Sequence, residues 1–245
     1  MGRMSYTKGN GKMLNQEILS DFMNSFLGYG DFDADTWFIG MEEGGGDSLK
    51  DVETRIGTWA KRGKCALEDC AEYHLAIGAG KLFTPPVRAA QRTWDWLMRA
   101  QLLSEGKPYD SAASKTMQGE RWLRHGSKTC GLELLPLPSP SINVWHYNQF
   151  SNDPILQDRA SYSAAMLPTR KAKIKSAIDE HKPRNVVFYS KKYLAHWQDL
   201  MGVGFEHQDG LAFAKTGETS FFCTLHPTAQ IKGAGKKKAY WENIG

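Results

Sequence analysis

Trp37-Phe38-Ile39-Gly40-Met41-Glu42-Glu43-Gly44-Gly45-Gly46 runs from three large apolar side chains into two carboxylates and a glycine cluster. Residues 37–40 read as a short buried strand, and the remainder as the loop leaving its carboxyl end. Four further stretches carry a strand pattern: Thr129 to Leu137, closed by Pro136, Pro138 and Pro140; Asn185 to Tyr189; Leu211 to Ala214, as an edge strand; and Ser220 to Leu225. Helical spacing predicts helices over 13–28, 87–103, 170–179 and 191–201. Strands alternating with helices predict an α/β fold: a single three-layer domain around a central, mainly parallel sheet of four to five strands. Such sheets bind ligands outside the carboxyl ends of their strands, which singles out the loops after Ile39, Leu135 and Leu225. The domain is expected to span 1–245, with the segment 47–80, where no period is evident, as an insertion.

A chain of 245 residues can bury one sizeable core. No apolar run approaches the roughly 18 residues of a membrane span, and residues 1–13 lack the apolar stretch of a signal peptide. A cytoplasmic monomer without membrane contact is the expectation. The net charge of +4 is unevenly spread: residues 161–245 hold 13 Lys/Arg against 7 Asp/Glu, whereas residues 31–53 hold eight acids and one lysine. A basic C-terminal part suits a phosphate-bearing partner, although a run such as Arg170 to Lys175 also suits a solvated helix face. Cys130 and Cys223 sit in apolar surroundings and read as buried thiols. Cys65, Cys70 and His74 have the spacing of metal ligands but lack a fourth, so no metal is expected.

Three strand ends carry chemistry. In the Gly40–Gly46 loop, two carboxylates at the mouth of a sheet need partners or a task, and one could orient or activate water. A flexible acidic loop is the plainer alternative. A phosphate cradle is disfavoured, because the glutamates repel anions and no Gly-Lys-Ser/Thr follows. At Cys223-Thr224-Leu225-His226-Pro227-Thr228, the proline restricts the backbone of the histidine before it. The following stretch, with Gln230, Ile231, Lys232, Lys236, Lys237 and Lys238, mixes an apolar tip, glycines and lysines as a loop pressed against nucleic acid would. In Glu133-Leu134-Leu135-Pro136-Leu137, an unpaired carboxylate in an apolar strand is costly to bury, so Glu133 should face a pocket, a cation or a donor.

In order along the chain, these pieces resemble the uracil-DNA glycosylase superfamily. Gly40-Met41-Glu42-Glu43-Gly44 resembles its G-x-[DN]-P-[YG] loop, and Gly80-Lys81-Leu82-Phe83 resembles the G-[RK]-x-F segment whose phenylalanine stacks on the flipped base. Glu133 to Leu137 lines up with the N-x-C-P-L segment, and His226-Pro227-Thr228 resembles the H-P-[ST] motif before the DNA-inserting loop. The resemblance implies a monofunctional DNA glycosylase that flips a nucleotide into a strand-end pocket and cleaves its N-glycosidic bond, with no metal or organic cofactor. It implies that Glu42 orients water and supports the cationic sugar, and that His226 stabilises charge on the departing base. Base contacts fall to Gly40, Met41, Glu43, Gly44, Phe83 and Glu133. Gln230 and Ile231 would fill the gap in the helix, while Thr228, Lys232 and Lys236 to Lys238 contact DNA. The four-cysteine iron–sulfur spacing of some members is absent.

The departures from these motifs bear on substrate. Glycine at 44 replaces a tyrosine that excludes a 5-methyl group, and Glu133 replaces the asparagine that reads uracil. An ionised Glu133 can only accept hydrogen bonds, which suits the exocyclic amine of cytosine. A bulky 5-substituted cytosine is therefore expected, as in the prokaryotic anti-phage branch that removes glucosylated hydroxymethylcytosine. An ordinary uracil-DNA glycosylase, a non-catalytic module binding modified DNA, and a nucleotide or sugar hydrolase using Glu42 and Glu43 are the rivals. Glu43 stands where the motif has proline.

Overall fold

The computed structural model describes residues 13–208, 210–233 and 235–244. In chain order it forms α1 (Gln16–Ser25), β1 (Gly28–Gly30), β2 (Thr36–Gly40), α2 (Leu49–Lys61), β3 (Leu67–Glu68), α3 (Cys70–Ala76), α4 (Trp94–Ser104), α5 (Ser111–Glu120), β4 (Thr129–Glu133), α6 (Tyr147–Phe150), α7 (Arg159–His181), β5 (Asn185–Tyr189), α8 (Leu194–Met201), β6 (Glu206–Gln208), β7 (Leu211–Thr216), β8 (Thr219–Thr224) and α9 (Lys236–Glu242). One sheet runs β3-β1-β4-β2-β5-β8-β7-β6. Its centre, β4-β2-β5-β8, is parallel. β1 runs antiparallel to β4, and β7 and β6 continue antiparallel beyond β8.

The expected α/β domain is present as a single unit, but a parallel sheet of four to five strands needs correction to a mixed sheet of eight. The outer strands are too short to show a period, and β1 is Gly-Tyr-Gly, which reads as the end of the preceding helix. Its glycine is required: a Cβ on Gly28, at φ +153°, would lie 2.0 Å from the Gly131 carbonyl oxygen of β4. The stretch 211–214 is not at the edge, because β6 pairs outside it. The strand at 129–137 stops at Glu133, and the 87–103 helix begins only at Trp94. There the Gln91 side chain accepts from the backbone N–H groups of Thr93 and Trp94, at 2.6 and 2.9 Å.

Both faces of the central strands are buried, which is why they read as unbroken apolar runs. Alternation sends Phe38 and Val187 into one cluster with Phe22, Trp59 and Trp122, and Trp37, Ile39, Val186 and Phe188 into another with Ile174 and Trp197. The long helix α7 serves both, with Tyr162 and Met166 in the first and Ile174 and Ile178 in the second. Segment 47–80 folds into α2, β3 and α3. Val52, Ile56 and Trp59 of α2 are buried at helical spacing, and Trp59 packs edge-on to Phe22 at 5.1 Å and donates to the Cys65 carbonyl at 2.7 Å. No helix among the described residues is long and apolar enough to cross a membrane.

Trp59→Ala is expected to cost about 3–5 kcal/mol, the range for deleting a buried aromatic ring. The measurement is the urea midpoint at unchanged m-value; a change within error would mean that the 47–80 segment is peripheral to the core.

Candidate active site

The parallel strands β2, β4, β5 and β8 all end on one side of the sheet. The β2–β4 register places Gly40 opposite Glu133, and the chain beyond β4 continues the ladder: Leu134, Leu135 and Ser139 donate to the carbonyls of Gly40, Met41 and Glu43 at 2.9, 2.7 and 2.9 Å. This turn is fixed from below by Arg170 of α7, which is fully buried and donates to the carbonyls of Phe26, Glu133 and Leu134 at 2.7, 2.7 and 3.1 Å. Above it opens a cleft of about 540 Å³, whose walls include Met41, Glu42, Glu43, Gly44, Glu133 and His226. Six residues chosen from three separate strand ends thus share one cavity.

Each of the three glutamates has a different partner. Arg159, which opens α7, donates to Glu42 Oε2 at 2.5 Å and also to Ser139 Oγ, Ser141 O and Val144 O. Burial raises the Glu42 carboxyl above its ordinary range, while Arg159 pulls the other way. Arg159 occupies Oε2, and Oε1 has no hydrogen-bond partner among the described residues. Glu43 accepts from Tyr29 Oη at 2.9 Å and Arg55 Nη1 at 3.2 Å, with His74 Nε2 at 3.6 Å. Burial opposes its charge, but hydrogen bonding to His74 and the Arg55 guanidinium outweigh it and hold the carboxyl at about 2.

Among the described residues Glu133 has no ion-pair partner. Oε1 accepts from Tyr189 Oη at 2.9 Å, and Oε2 is buried without a hydrogen-bond partner among the described residues. Burial pushes it up to about 8, opposed by the Tyr189 bond and reinforced by the charges of Glu43 and Glu42. Near neutrality it is therefore a neutral acid whose proton belongs on Oε2. The expectation of an ionised, acceptor-only reader is corrected: desolvation between two other carboxylates disfavours a third charge. Gly40 makes room for this pair, since a Cβ there would lie 2.2 Å from Tyr189 Oη and 2.6 Å from Glu133 Oε2. A Cβ on Gly44 would meet nothing within 4 Å, so that side of the cleft is open.

His226, just beyond the end of β8, lines the same cleft, its ring 6.0 Å from that of Tyr189. Its Nδ1 accepts from the Thr228 backbone N–H at 3.2 Å and lies 2.8 Å from Thr228 Oγ1, which places the proton of the neutral ring on Nε2. Burial, with the charge of Lys237, lowers its pKa below the ordinary 6.5, so the ring is neutral at pH 7.

Other expectations change. Phe83 does not reach the cleft: it is 4% exposed and packs behind His74 and Trp94, at ring distances of 5.3 and 5.7 Å. Trp94 lines the cavity in its place, because the 3-10 turn at 80–82 directs Phe83 into the core. Residues 226–238 are not one lysine loop, since Lys236, Lys237 and Lys238 begin α9. Lys237 donates to the Pro227 carbonyl at 2.6 Å, and Lys238 lies 3.5 Å from Glu242. Thr228, Gln230 and Lys232 are exposed and Ile231 is half-buried; Ala234 lies outside the described residues. Cys65 is exposed, Cys70 and His74 are buried on α3, and no group of three metal-ligand side chains forms among the described residues. His74 instead donates from Nδ1 to the Cys70 carbonyl at 2.7 Å and turns Nε2 toward Glu43.

Arg55, Arg159, Tyr29 and Tyr189 were invisible as site residues in the sequence. Only Tyr189, the last residue of a predicted strand, could have been found by the rule that selected the other strand ends. Compared with known proteins, the chain matches no family model and no curated protein.

Glu133 gives the site a pH signature. Its carboxyl loses its proton near 4.5 when unfolded and at about 8 when folded. Between those values the folded state binds the extra proton, so this group lowers stability as pH rises. Glu43, held at about 2, stays ionised in the folded state and adds an opposite slope only near and below 4.5, where the unfolded chain takes up a proton. Glu133→Gln is expected to gain stability relative to the unaltered protein on going from about pH 5 to pH 8. Urea midpoints of both proteins across the range check this, and parallel pH profiles would show that Glu133 is ionised in the fold.

Proposed function

We propose that the protein is a DNA glycosylase that takes a flipped pyrimidine into the strand-end cleft and hydrolyses its N-glycosidic bond. The carrying observation is the pairing across one cavity of an arginine-held carboxylate, Glu42, with a neutral histidine, His226, whose Nδ1 is occupied by its own loop. The C1′–N bond breaks with its electron pair going to the base. Nε2–H of His226 donates to the anion forming there. Glu42 Oε1 orients the water that attacks C1′, and the carboxylate stabilises the oxocarbenium-like sugar. The attacking water loses its proton through Glu42, and the product is an abasic site and a free base.

The base is proposed to be a modified pyrimidine with a bulky 5-substituent, because Gly44 leaves space where a larger residue would close it. A neutral Glu133 offers a donor at Oε2 and an acceptor at Oε1. That pair complements the N3 and N4 edge of cytosine and equally the O4 and N3–H edge of uracil. Size at position 44, rather than the charge of Glu133, is what favours a substituted base such as a cytosine of phage DNA.

A second reading, a non-catalytic module that binds modified DNA, draws on the Glu42–Arg159 contact, which would serve equally to neutralise a carboxylate that performs no chemistry.

The test is incubation with single- and double-stranded oligonucleotides carrying uracil, 5-hydroxymethyluracil, hydroxymethylcytosine or glucosylated hydroxymethylcytosine, followed by alkaline cleavage at abasic sites. Cleavage of at least one is expected; folded protein that cleaves none leaves the binding module as the reading. Glu42→Gln and His226→Ala are each expected to slow excision by about 10²-fold or more. Gly44→Tyr is expected to abolish excision of the bulkiest base while sparing the smallest accepted one, and equal losses on both would remove the size argument.

A further inference from the structure

A second groove, of about 440 Å³, lies on the far side of the wall that carries His226. The two cavities share that wall residue by residue. Gln91 and Thr93 face the cleft while Ala90 and Arg92 face the groove, and His226 faces the cleft while Pro227 and Thr228 face the groove. Four cations line the groove: Arg88, Arg92, Lys115 and Lys237. Its acid, Asp95, is already engaged, by Arg99 at 3.0 Å and by Ser114 Oγ at 2.6 Å.

Arg88 and Arg92 are exposed, and among the described residues neither they nor Lys115 has an ion pair or hydrogen bond through its side chain. They sit on an irregular segment and on α5, where nothing in the packing requires a cation. Lys237 is tied to the Pro227 carbonyl, and burial lowers its pKa with Arg92 adding to the effect. Concentrating like charge in a concave site is unfavourable unless an anion offsets it. Elsewhere on this surface Arg62 and Arg124 are paired with Glu68 and Asp69.

From this arrangement we infer that the groove holds the sugar–phosphate backbone of the strand whose nucleotide enters the cleft, with Arg88, Arg92 and Lys115 contacting consecutive phosphates. The inference rests on the proposed nucleic-acid substrate and adds the path of its backbone. It moves the main phosphate contacts from Lys236 and Lys238 to residues of the 84–93 segment and α5. A nucleotide whose base occupies the cleft has its phosphates at the rim, one wall thickness away, where these cations stand. The larger cavity of about 750 Å³ at the amino ends of the strands serves as a natural control, since it also contains two cations, Lys128 and Arg184, without ion pairs among the described residues.

The experiment is fluorescence anisotropy of a labelled oligonucleotide, single-stranded and duplex, over a salt series, for the unaltered protein, the triple variant Arg88→Ala/Arg92→Ala/Lys115→Ala and the control Lys128→Ala/Arg184→Ala. The slope of log K against log salt is expected to fall in the triple variant by about 0.9 per lost contact on duplex, or about 0.7 on single strand. Affinity at low salt is expected to drop at least tenfold, with thermal midpoint unchanged and the control behaving as the unaltered protein. Triple-variant slopes equal to those of the unaltered protein, or an equal fall in the control, would overturn the groove assignment. Absence of any binding by the unaltered protein would overturn it together with the nucleic-acid reading. Binding with the expected slopes but without base excision supports the groove and overturns only the glycosylase chemistry.

Discussion

Three carboxyl groups converge where β2 and β4 end, and the surrounding structure is arranged to make that tolerable. Like charges this close, partly removed from water, cannot all persist unaided. Arg159 neutralises Glu42, Arg55 neutralises a Glu43 that also accepts from Tyr29, and Glu133 keeps its proton, its carboxyl hydrogen-bonded among the described residues by the Tyr189 hydroxyl. The three solutions differ in consequence. The first leaves a carboxylate with one free oxygen, the second a permanently ionised anchor, and the third a neutral donor.

Each solution draws on a different layer of the fold. Arg55 comes from α2 and His74 from α3, Arg159 from the first turn of α7, and Tyr189 from the end of β5. Arg170, from the middle of α7, is buried, has no ion pair among the described residues and directs its donors to three backbone carbonyls. It holds the turn after β4 while α7 carries Arg159 to Glu42, so one helix braces two of the segments that line the cleft. Removing the helix would leave unpaired groups at both places, which links the site to the core more tightly than a loop-borne site would be.

The two ends of the sheet illustrate why the position of a cavity says more than its size. At the amino ends of the strands, Arg121 and Lys107 both pair with Glu105. The cavity there is the larger of the two. At the carboxyl ends, Glu133, an open glycine and a histidine of defined tautomer line one space. Parallel strands make this possible because all their exits fall together.

Read alone, the amino-acid sequence determined the central strands, since apolar runs of five residues buried on both faces leave a signal that does not depend on neighbours. It also determined that Glu42, Glu43, Glu133 and His226 belong together, because strand ends in a parallel sheet share one side. It did not determine the outer strands, which are too short to have a period, nor the extent of the 94–104 helix, whose start depends on a side-chain cap from Gln91. Only the tertiary structure decided which carboxyl group is charged. Arg159 lies 117 residues from Glu42 and Tyr189 lies 56 from Glu133, and ionisation depends on partners and burial at distances of 3 Å, which no local pattern encodes. The same reason accounts for Phe83, whose place in the motif suggested a stacking face but whose surroundings buried it.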